Sequence, residues 1–206
     1  MNDLATPLVH VVDDEAPLRR ALAFLLESAG WRVAAHESAE AFLAAWCEPA
    51  PPGCLLLDVR MPLMSGLELQ RMLVERHIRL PVIFLTGHGD VSIAVQAMKL
   101  GACDFIEKPF KDQVLLDAVS HAVRDDIARR EEGVAHAALR AQVDKLSPRE
   151  KEVAGMIAEG LTNKAIGHRL DISERTVQVH RLHLMEKLGL HSAAELAQLM
   201  LRAGAG

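Results

Sequence analysis

The chain has 206 residues, half of them apolar and a quarter charged, with a formal net charge of −5; that length suits two small domains, and the balance excludes a disordered or fibrous chain. No apolar stretch approaches the ~18 residues of a membrane span, and the N-terminus, MNDLATPLVHVVDDE, lacks the basic-then-apolar order of a signal peptide. Cys47, Cys54 and Cys103 show no CxxC or Cys/His clustering, which argues against a zinc site or disulfide framework and for a reducing cytoplasm.

The first half alternates. LVHVV (8–12) is a short β-branched run. Residues 16–29 place Leu18, Leu22, Leu25 and Leu26 on one helical face, and Gly30 ends that helix. WRVAA (31–35) reads as a second strand and 38–46 as a second helix. PAPPG (49–53) is a turn cluster. CLLLD (54–58), a helix near 66–77, PVIFLT (81–86), a helix near 90–100, CDFIE (103–107) and a helix from about 111 complete five strand–helix units. Apolar runs without alternation imply strands covered on both faces. The β-α order predicts an α/β, doubly wound, five-stranded parallel sheet.

Residues 111–145 contain no proline and one glycine, Gly133. A helix can therefore run on through DDIARREE (125–132), whose charge suits a solvated linker. Val134, Leu139 and Val143 are too irregularly spaced for a coiled coil. Ser147-Pro148-Arg149-Glu150 then sets serine at the N-cap, proline at N1 and glutamate at N3, a strong helix start. Four short helices are predicted at about 147–159, 163–169, 173–188 and 192–203, punctuated by Gly160, Asp171 and Gly189. The predicted organisation is a domain over 7–125, a helical linker over 126–145 and a small all-α domain over 146–206.

Charge separates the halves. Residues 1–121 carry 10 basic and 16 acidic side chains, and residues 122–206 carry 13 and 12. The second half is thus not basic enough for charge alone to imply nucleic acid.

In a parallel sheet the carboxyl ends of the strands share one edge, where ligands bind. Here the first strand leads into Asp13-Asp14, the third ends on Asp58, the fourth on Thr86, and the fifth leads to Lys108-Pro109. Each alone has a plain structural explanation: a favourable charge at a helix N-terminus, a loop aspartate, a strand-end cap, a surface lysine. Together they form a cluster. Two carboxylates ~4 Å apart at an effective dielectric of ~20 repel by about 4 kcal/mol. A divalent cation relieves that repulsion, and an oxygen-only donor set favours Mg²⁺ or Mn²⁺ over zinc.

VVDDE, LLLDVRMPLMSG, VIFLTGHGD and GACDFIEKPF resemble the receiver domain of two-component response regulators, a flavodoxin/CheY-like fold. The resemblance covers about residues 7–125. It implies that Asp58 accepts a phosphoryl group from a sensor histidine kinase. It further implies that Asp13, Asp14, Asp58 and the backbone carbonyl of Arg60 bind Mg²⁺ (or Mn²⁺), that Thr86 and Phe105 form a switch pair, that Lys108 is the phosphate counter-ion, and that the peptide before Pro109 is cis. Taken alone, Phe105 would be a core aromatic. In the family the positions of Arg60 and His88 flank the route of a hydrolytic water, so bulky Arg60 is expected to slow self-dephosphorylation. Leu63 stands where relatives commonly carry glycine.

LSPREKEVAGMIAEGLTNKAIGHRLDISERTVQVHRLHLMEKLGL (146–190) resembles the LuxR-type helix-turn-helix domain. With the receiver it is similar to the NarL/FixJ class, FixJ-like subgroup. On the helix after Ser173, Val177, Leu184 and Leu188 form one stripe, while Arg175, Gln178, Val179 and Leu182 lie opposite. A recognition helix puts such an outer face in the major groove. Gln178 suits adenine edges, and Val179 and Leu182 suit thymine methyls. Lys164, Thr176, His180 and Arg181 are placed for phosphates. His183 and Leu182 depart from the Arg-containing pattern of close relatives.

The resulting expectation is a DNA-binding response regulator, not an enzyme beyond Mg-dependent self-phosphorylation and self-dephosphorylation. Its partners would be a histidine kinase, double-stranded DNA, RNA polymerase and, because so weakly charged a domain should bind one site poorly, a second copy on phosphorylation through the face of residues 90–118. Three rivals stand beside it. An aspartyl-phosphate hydrolase would share the nucleophile and metal but leaves 146–206 unexplained. A small-molecule-sensing LuxR regulator should be rich in aromatics, and this chain has no Tyr. A phosphorylation-independent LuxR-type factor would not need the full strand-end set.

Overall fold

The computed structural model describes residues 6–87 and 91–204. It divides into two compact units, 1–130 and 131–206.

The first unit is a parallel sheet in the order β2-β1-β3-β4-β5. The strands are β1 (Leu8–Val12), β2 (Arg32–His36), β3 (Gly53–Asp58), β4 (Val82–Thr86) and β5 (Asp104–Glu107). Between them run α1 (Ala16–Ser28), α2 (Ala39–Ala45), α3 (Gly66–Glu75) and α4 (Val91–Lys99), and α5 (Asp112–Val143) follows. The doubly wound α/β fold is as the sequence predicts, with element ends shifted by a residue or two.

β3 and β4 are buried along their whole length. Their side chains alternate between two cores. Leu55, Leu57 and Phe84 pack with Phe42, Leu69 and Leu73 on one face. Leu56, Ile83 and Leu85 pack with Leu26, Leu115 and Val119 on the other. This is why the sequence reads as unbroken apolar runs: each strand has a helix layer on both sides. α3 begins on a reciprocal capping box between Ser65 and Glu68, and a Cβ on Gly66 would lie 2.2 Å from the Asp58 carbonyl oxygen. Only glycine lets α3 start so close to the end of β3.

The run 125–132 is not uniformly solvated. Asp126 on α5 is 0% exposed. It accepts from Gly53 N at 3.0 Å and from Arg130 Nε at 2.8 Å, and it pairs with Arg129. Arg130 also donates to the Ala50 carbonyl. Helical periodicity turns Asp126 inward, where the first backbone amide of β3 needs an acceptor.

The second unit holds α6 (Pro148–Ala158), α7 (Asn163–Leu170), α8 (Glu174–Leu188) and α9 (Ala193–Arg202). Ser147 and Glu150 form the predicted capping box. Val153, Ile157, Ile166, Val177, Leu184 and Leu196 make the core, and Val143 with Leu139 from the end of α5 joins it. The last turns of α5 therefore belong to this core. Glu150 is buried and takes two bonds from Lys187 Nζ, at 2.7 and 2.9 Å. The Lys187 bond and the Ser147 amide hold its pKa down at about 2.

Candidate functional site

The carboxyl ends of β1, β3 and β4 and the residue after β5 bring Asp13, Asp58, Thr86 and Lys108 to one edge. Asp13 is 1% exposed and Asp58 8% exposed. Lys108 Nζ bridges them, 2.6 Å from Asp58 Oδ1 and 3.0 Å from Asp13 Oδ2. The other oxygens are also held. Asp58 Oδ2 accepts from Arg60 N at 2.7 Å, and Asp13 Oδ1 accepts from Glu15 N at 2.8 Å. The Thr86 carbonyl accepts from Lys108 N at 2.6 Å, which fixes the backbone of the lysine. The Lys108–Pro109 peptide is cis, as the resemblance implies.

Burial raises the pKa of Asp58; Lys108 and the Arg60 amide oppose the rise, and Asp13 adds to it. Burial alone would lower the pKa of Lys108, but its hydrogen bonds to Asp58 and Asp13 outweigh that and raise it. The site is therefore two carboxylates sharing one ammonium, with an uncompensated negative charge. A cavity of about 250 Å³ above Asp58 is lined by Glu15, Arg60, Thr86, Gly87 and Lys108.

Not every predicted member converges. Asp14 is exposed, and among the described residues no three acidic, His or Cys side chains gather into a ready metal cage. The three converging carboxylates of the sequence reading are two, with Asp14 at the rim. Phe105 is half-buried against Phe84, ring centroids 6.3 Å apart. His88 lies outside the described residues. Glu15 at the cavity wall and Arg19, whose guanidinium donates to the Asp13 carbonyl at 2.6 Å, were not singled out from sequence. Glu15 follows Asp13 by two residues, at the N-cap of α1, and Arg19 by six; nearness to Asp13 along the chain is the signal that could have found them.

In the second unit, α7 and α8 meet across a tight turn. Asp171 takes a left-handed conformation, φ 52°. A Cβ on Gly167 would lie 2.8 Å from the Ile172 carbonyl, so glycine sets how closely the two helices approach. Val177 and Leu184 are buried, and Leu188 packs beside them. Arg175, Gln178, Val179 and Leu182 are exposed on the opposite side of α8, and Lys164 is exposed on α7. Thr176, His180 and Arg181 are half-buried. Two of these are partly engaged: the Thr176 hydroxyl lies 2.8 Å from Ser173 Oγ, and Arg181 donates to Asn163 at 3.4 Å. Glu186, unremarked in the sequence, joins Gln178 and Leu182 along a groove of about 620 Å³.

Residues 9–120 match the response regulator receiver domain, and residues 144–200 match the bacterial regulatory proteins of the luxR family. The chain belongs to the DNA-binding response regulators of two-component systems. It is 46% identical over 198 residues to the transcriptional regulatory protein FixJ of Rhizobium meliloti, covering 96% of this chain and 97% of that one. It is also 46% identical over 193 residues to the C4-dicarboxylate transport transcriptional regulatory protein DctR of Rhodobacter capsulatus, covering 93% and 98%. Among solved structures, response regulator StyR matches with a TM-score of 0.82 at 41% identity over 96% of this chain and all of that one. Full-length FixJ of B. japonicum matches with a TM-score of 0.60 at 41% identity, over 97% and 98%. The regulator is thus FixJ-like, of the NarL/FixJ class. Neither the hydrolase nor the small-molecule-sensor reading accounts for both halves. Among the described residues no helix is long and apolar enough to cross a membrane.

Proposed function

We propose that Asp58 accepts a phosphoryl group from the phosphohistidine of a sensor kinase. The observation that carries this is the buried Asp58–Lys108–Asp13 arrangement, whose cavity opens over Asp58. An Asp58 carboxylate oxygen forms the new O–P bond as the N–P bond breaks, and the imidazole leaves with its electron pair. Lys108 stays beside the product as counter-charge, and the Thr86 hydroxyl donates to a phosphoryl oxygen. Two buried carboxylates with one ammonium between them form an oxygen-only, anionic donor set, which fits a hard divalent cation. Asp13, Asp14, Asp58 and the Arg60 carbonyl would hold Mg²⁺ (or Mn²⁺), which when bound screens charge on the transferring group.

The acyl phosphate carries about −1.5 to −2 charges where the carboxylate carried one. Drawing Thr86 towards it opens space behind the strand, and Phe105 turns further in. That biases a two-state face over residues 90–118. Val91, Val95 and Met98 on α4 are exposed at helical spacing, an apolar stripe that suits a second copy of the chain. The phosphorylated dimer then sets two copies of α8 on paired DNA half-sites, where Arg175, Gln178, Val179 and Leu182 read bases and Lys164, Thr176, His180 and Arg181 contact phosphates. RNA polymerase recruitment follows from that position.

Incubation with a small phosphodonor and Mg²⁺, followed by intact-mass measurement, tests the acceptor. Wild type gains one phosphoryl group and Asp58→Asn gains none; an adduct on Asp58→Asn would move the acceptor elsewhere. Arg60 is exposed at the cavity wall. Arg60→Asn shortens the lifetime of the phospho-form, and an unchanged lifetime would remove Arg60 from the water route.

A further inference from the structure

Asp13 is held by more than its carboxylate. Its backbone N–H donates to the His36 carbonyl at 3.3 Å. Its Oδ1 accepts from Glu15 N and its Oδ2 from Lys108 Nζ. The remaining polar group is its own carbonyl, which accepts from Arg19 Nη1 at 2.6 Å.

Regular structure supplies that carbonyl with no donor. β1 last pairs at Val12, and α1 starts from its N-cap at Glu15. Asp13 falls between them and is 1% exposed, where an unpaired carbonyl is costly. Helix chemistry does not ask for an arginine at 19 either. It is the fourth residue of α1, where the macrodipole disfavours a cation. No acidic residue accompanies it in that first turn. The bond to Asp13 is what offsets the unfavourable position.

The Asp13 carbonyl belongs to the peptide that joins Asp13 to Asp14. A planar peptide ties together the directions of the two Cα atoms it links. Pinning its oxygen therefore sets the point from which both carboxylates reach out. Asp13 is buried and Asp14 is exposed, so the turn between them decides whether both arrive at one ion. Arg19 sets that turn without taking up a carboxylate oxygen. Lys108, by contrast, engages one oxygen on Asp13 and one on Asp58. Groups that orient metal ligands without touching the metal weigh heavily on affinity.

We propose that Arg19 is a positioning residue for the divalent cation. Through the Asp13 carbonyl it holds the Asp13–Asp14 peptide in the orientation from which both carboxylates reach one ion. The inference rests on the reading that these aspartates hold the cation.

Amide NMR titration of the full chain with Mg²⁺ measures the affinity, and acetyl phosphate measures the phosphorylation rate. Arg19→Met, similar in length but without donor or charge, should weaken Mg²⁺ binding roughly 10-fold. The Mg²⁺ concentration for half-maximal phosphorylation should rise by the same factor, while the rate at saturating Mg²⁺ stays within about twofold. Arg19→Lys, which can still donate to the carbonyl, should recover most of the affinity. Arg20→Met removes the same charge one exposed position away and should leave Mg²⁺ binding unchanged. One measurement needs no variant to fold: in wild type, Mg²⁺ should slow hydrogen exchange of the Arg19 guanidinium. Unchanged affinity in Arg19→Met, an equal loss in Arg20→Met, a lysine no better than methionine, a rate that saturating Mg²⁺ does not restore, or faster guanidinium exchange would each overturn the proposal. Asp13→Asn separates the two claims. If it leaves Mg²⁺ binding unchanged, the cation reading fails and takes this one with it. If it abolishes binding while Arg19→Met does not weaken it, only the positioning role falls.

Discussion

The two units place the side chains proposed to act in opposite environments. The receiver buries Asp13, Asp58 and Thr86 at a strand edge and fixes them with backbone amides and Lys108. The helical unit leaves Arg175, Gln178, Val179 and Leu182 exposed, and spends a buried charge, Glu150, on structure. A buried carboxylate disfavours its own ionised form unless something pairs it. The receiver's charges are therefore poised to answer a change in charge. The outer face of α8 is not held by the core, and its chemistry emerges only against a partner of complementary shape. In the proposed function one unit switches and the other reads.

That contrast can be broken at the receiver end first. Asp126 satisfies Gly53 N and two arginines from a fully buried position. Asp126→Ala leaves the amide and both guanidiniums without their acceptor. The arginines are partly exposed, so the loss falls below that of a fully buried pair, at about 2–3 kcal/mol. Thermal unfolding followed by residue-resolved NMR should show the receiver melting roughly 10 °C lower and the helical unit unmoved. A joint shift of both units would contradict their separate cores.

Acid should separate the units next. His10 and His36 lie 3.2 Å apart, stacked beside Phe42 and Trp46. Burial, with His36 alongside, lowers the pKa of His10 to about 4, and burial also lowers that of His36. A base with a depressed folded pKa contributes stability above its unfolded value of ~6.5, lost as pH falls towards about 4. The Glu150 pKa is depressed to about 2, so its contribution is intact above ~4.5 and lost only below that. Asp58 works the other way, because its raised pKa makes acid relieve a penalty. His10→Phe isolates the histidine. Between pH 6.5 and 4.5 it should flatten the receiver's loss of stability, by an amount on the order of 2 kcal/mol, and leave the helical unit unchanged. Identical pH slopes in wild type and variant would remove the histidine pair from the account.

The smallest effect sharpens the comparison inside the receiver itself. Leu63 sits at φ 67° and is 95% exposed, with Met64 N bonded to the Pro62 carbonyl at 2.8 Å across it. A left-handed leucine is strained by roughly 1–2 kcal/mol, and glycine returns about half of that in chain entropy. Leu63→Gly should stabilise by about 0.5–1 kcal/mol in denaturant titration. No gain would mean the loop relieves the strain elsewhere.

These residues also show what a sequence discloses. Asp58 was legible because a carboxylate ending an apolar run is costly, and three other strand ends supplied its neighbours. α5 was legible as an absence, no proline over 111–145, although its last turns reading as linker were in fact core. Asp126 was not legible: DDIARREE looks solvated, and only a backbone amide far away in the chain makes one of its acids internal. His10 was missed for the same reason. A polar residue in a helix or a β-branched run reads as surface until the facing element is known. Leu63 was noted as a departure from relatives, but its consequence lay in a backbone angle that spacing does not reveal. On α8 the buried stripe followed from periodicity, whereas the engagement of Thr176 by Ser173 depended on local cap geometry.

The central claim is that charge added at Asp58 controls what α8 reads. Footprinting on genomic DNA, with and without a small phosphodonor and Mg²⁺, tests it most directly when wild type and Asp58→Ala are run side by side. The account predicts paired half-site protection that strengthens with phosphodonor in wild type and does not change in Asp58→Ala. Footprints that ignore the phosphodonor in wild type would contradict the switch and leave only a DNA-binding protein.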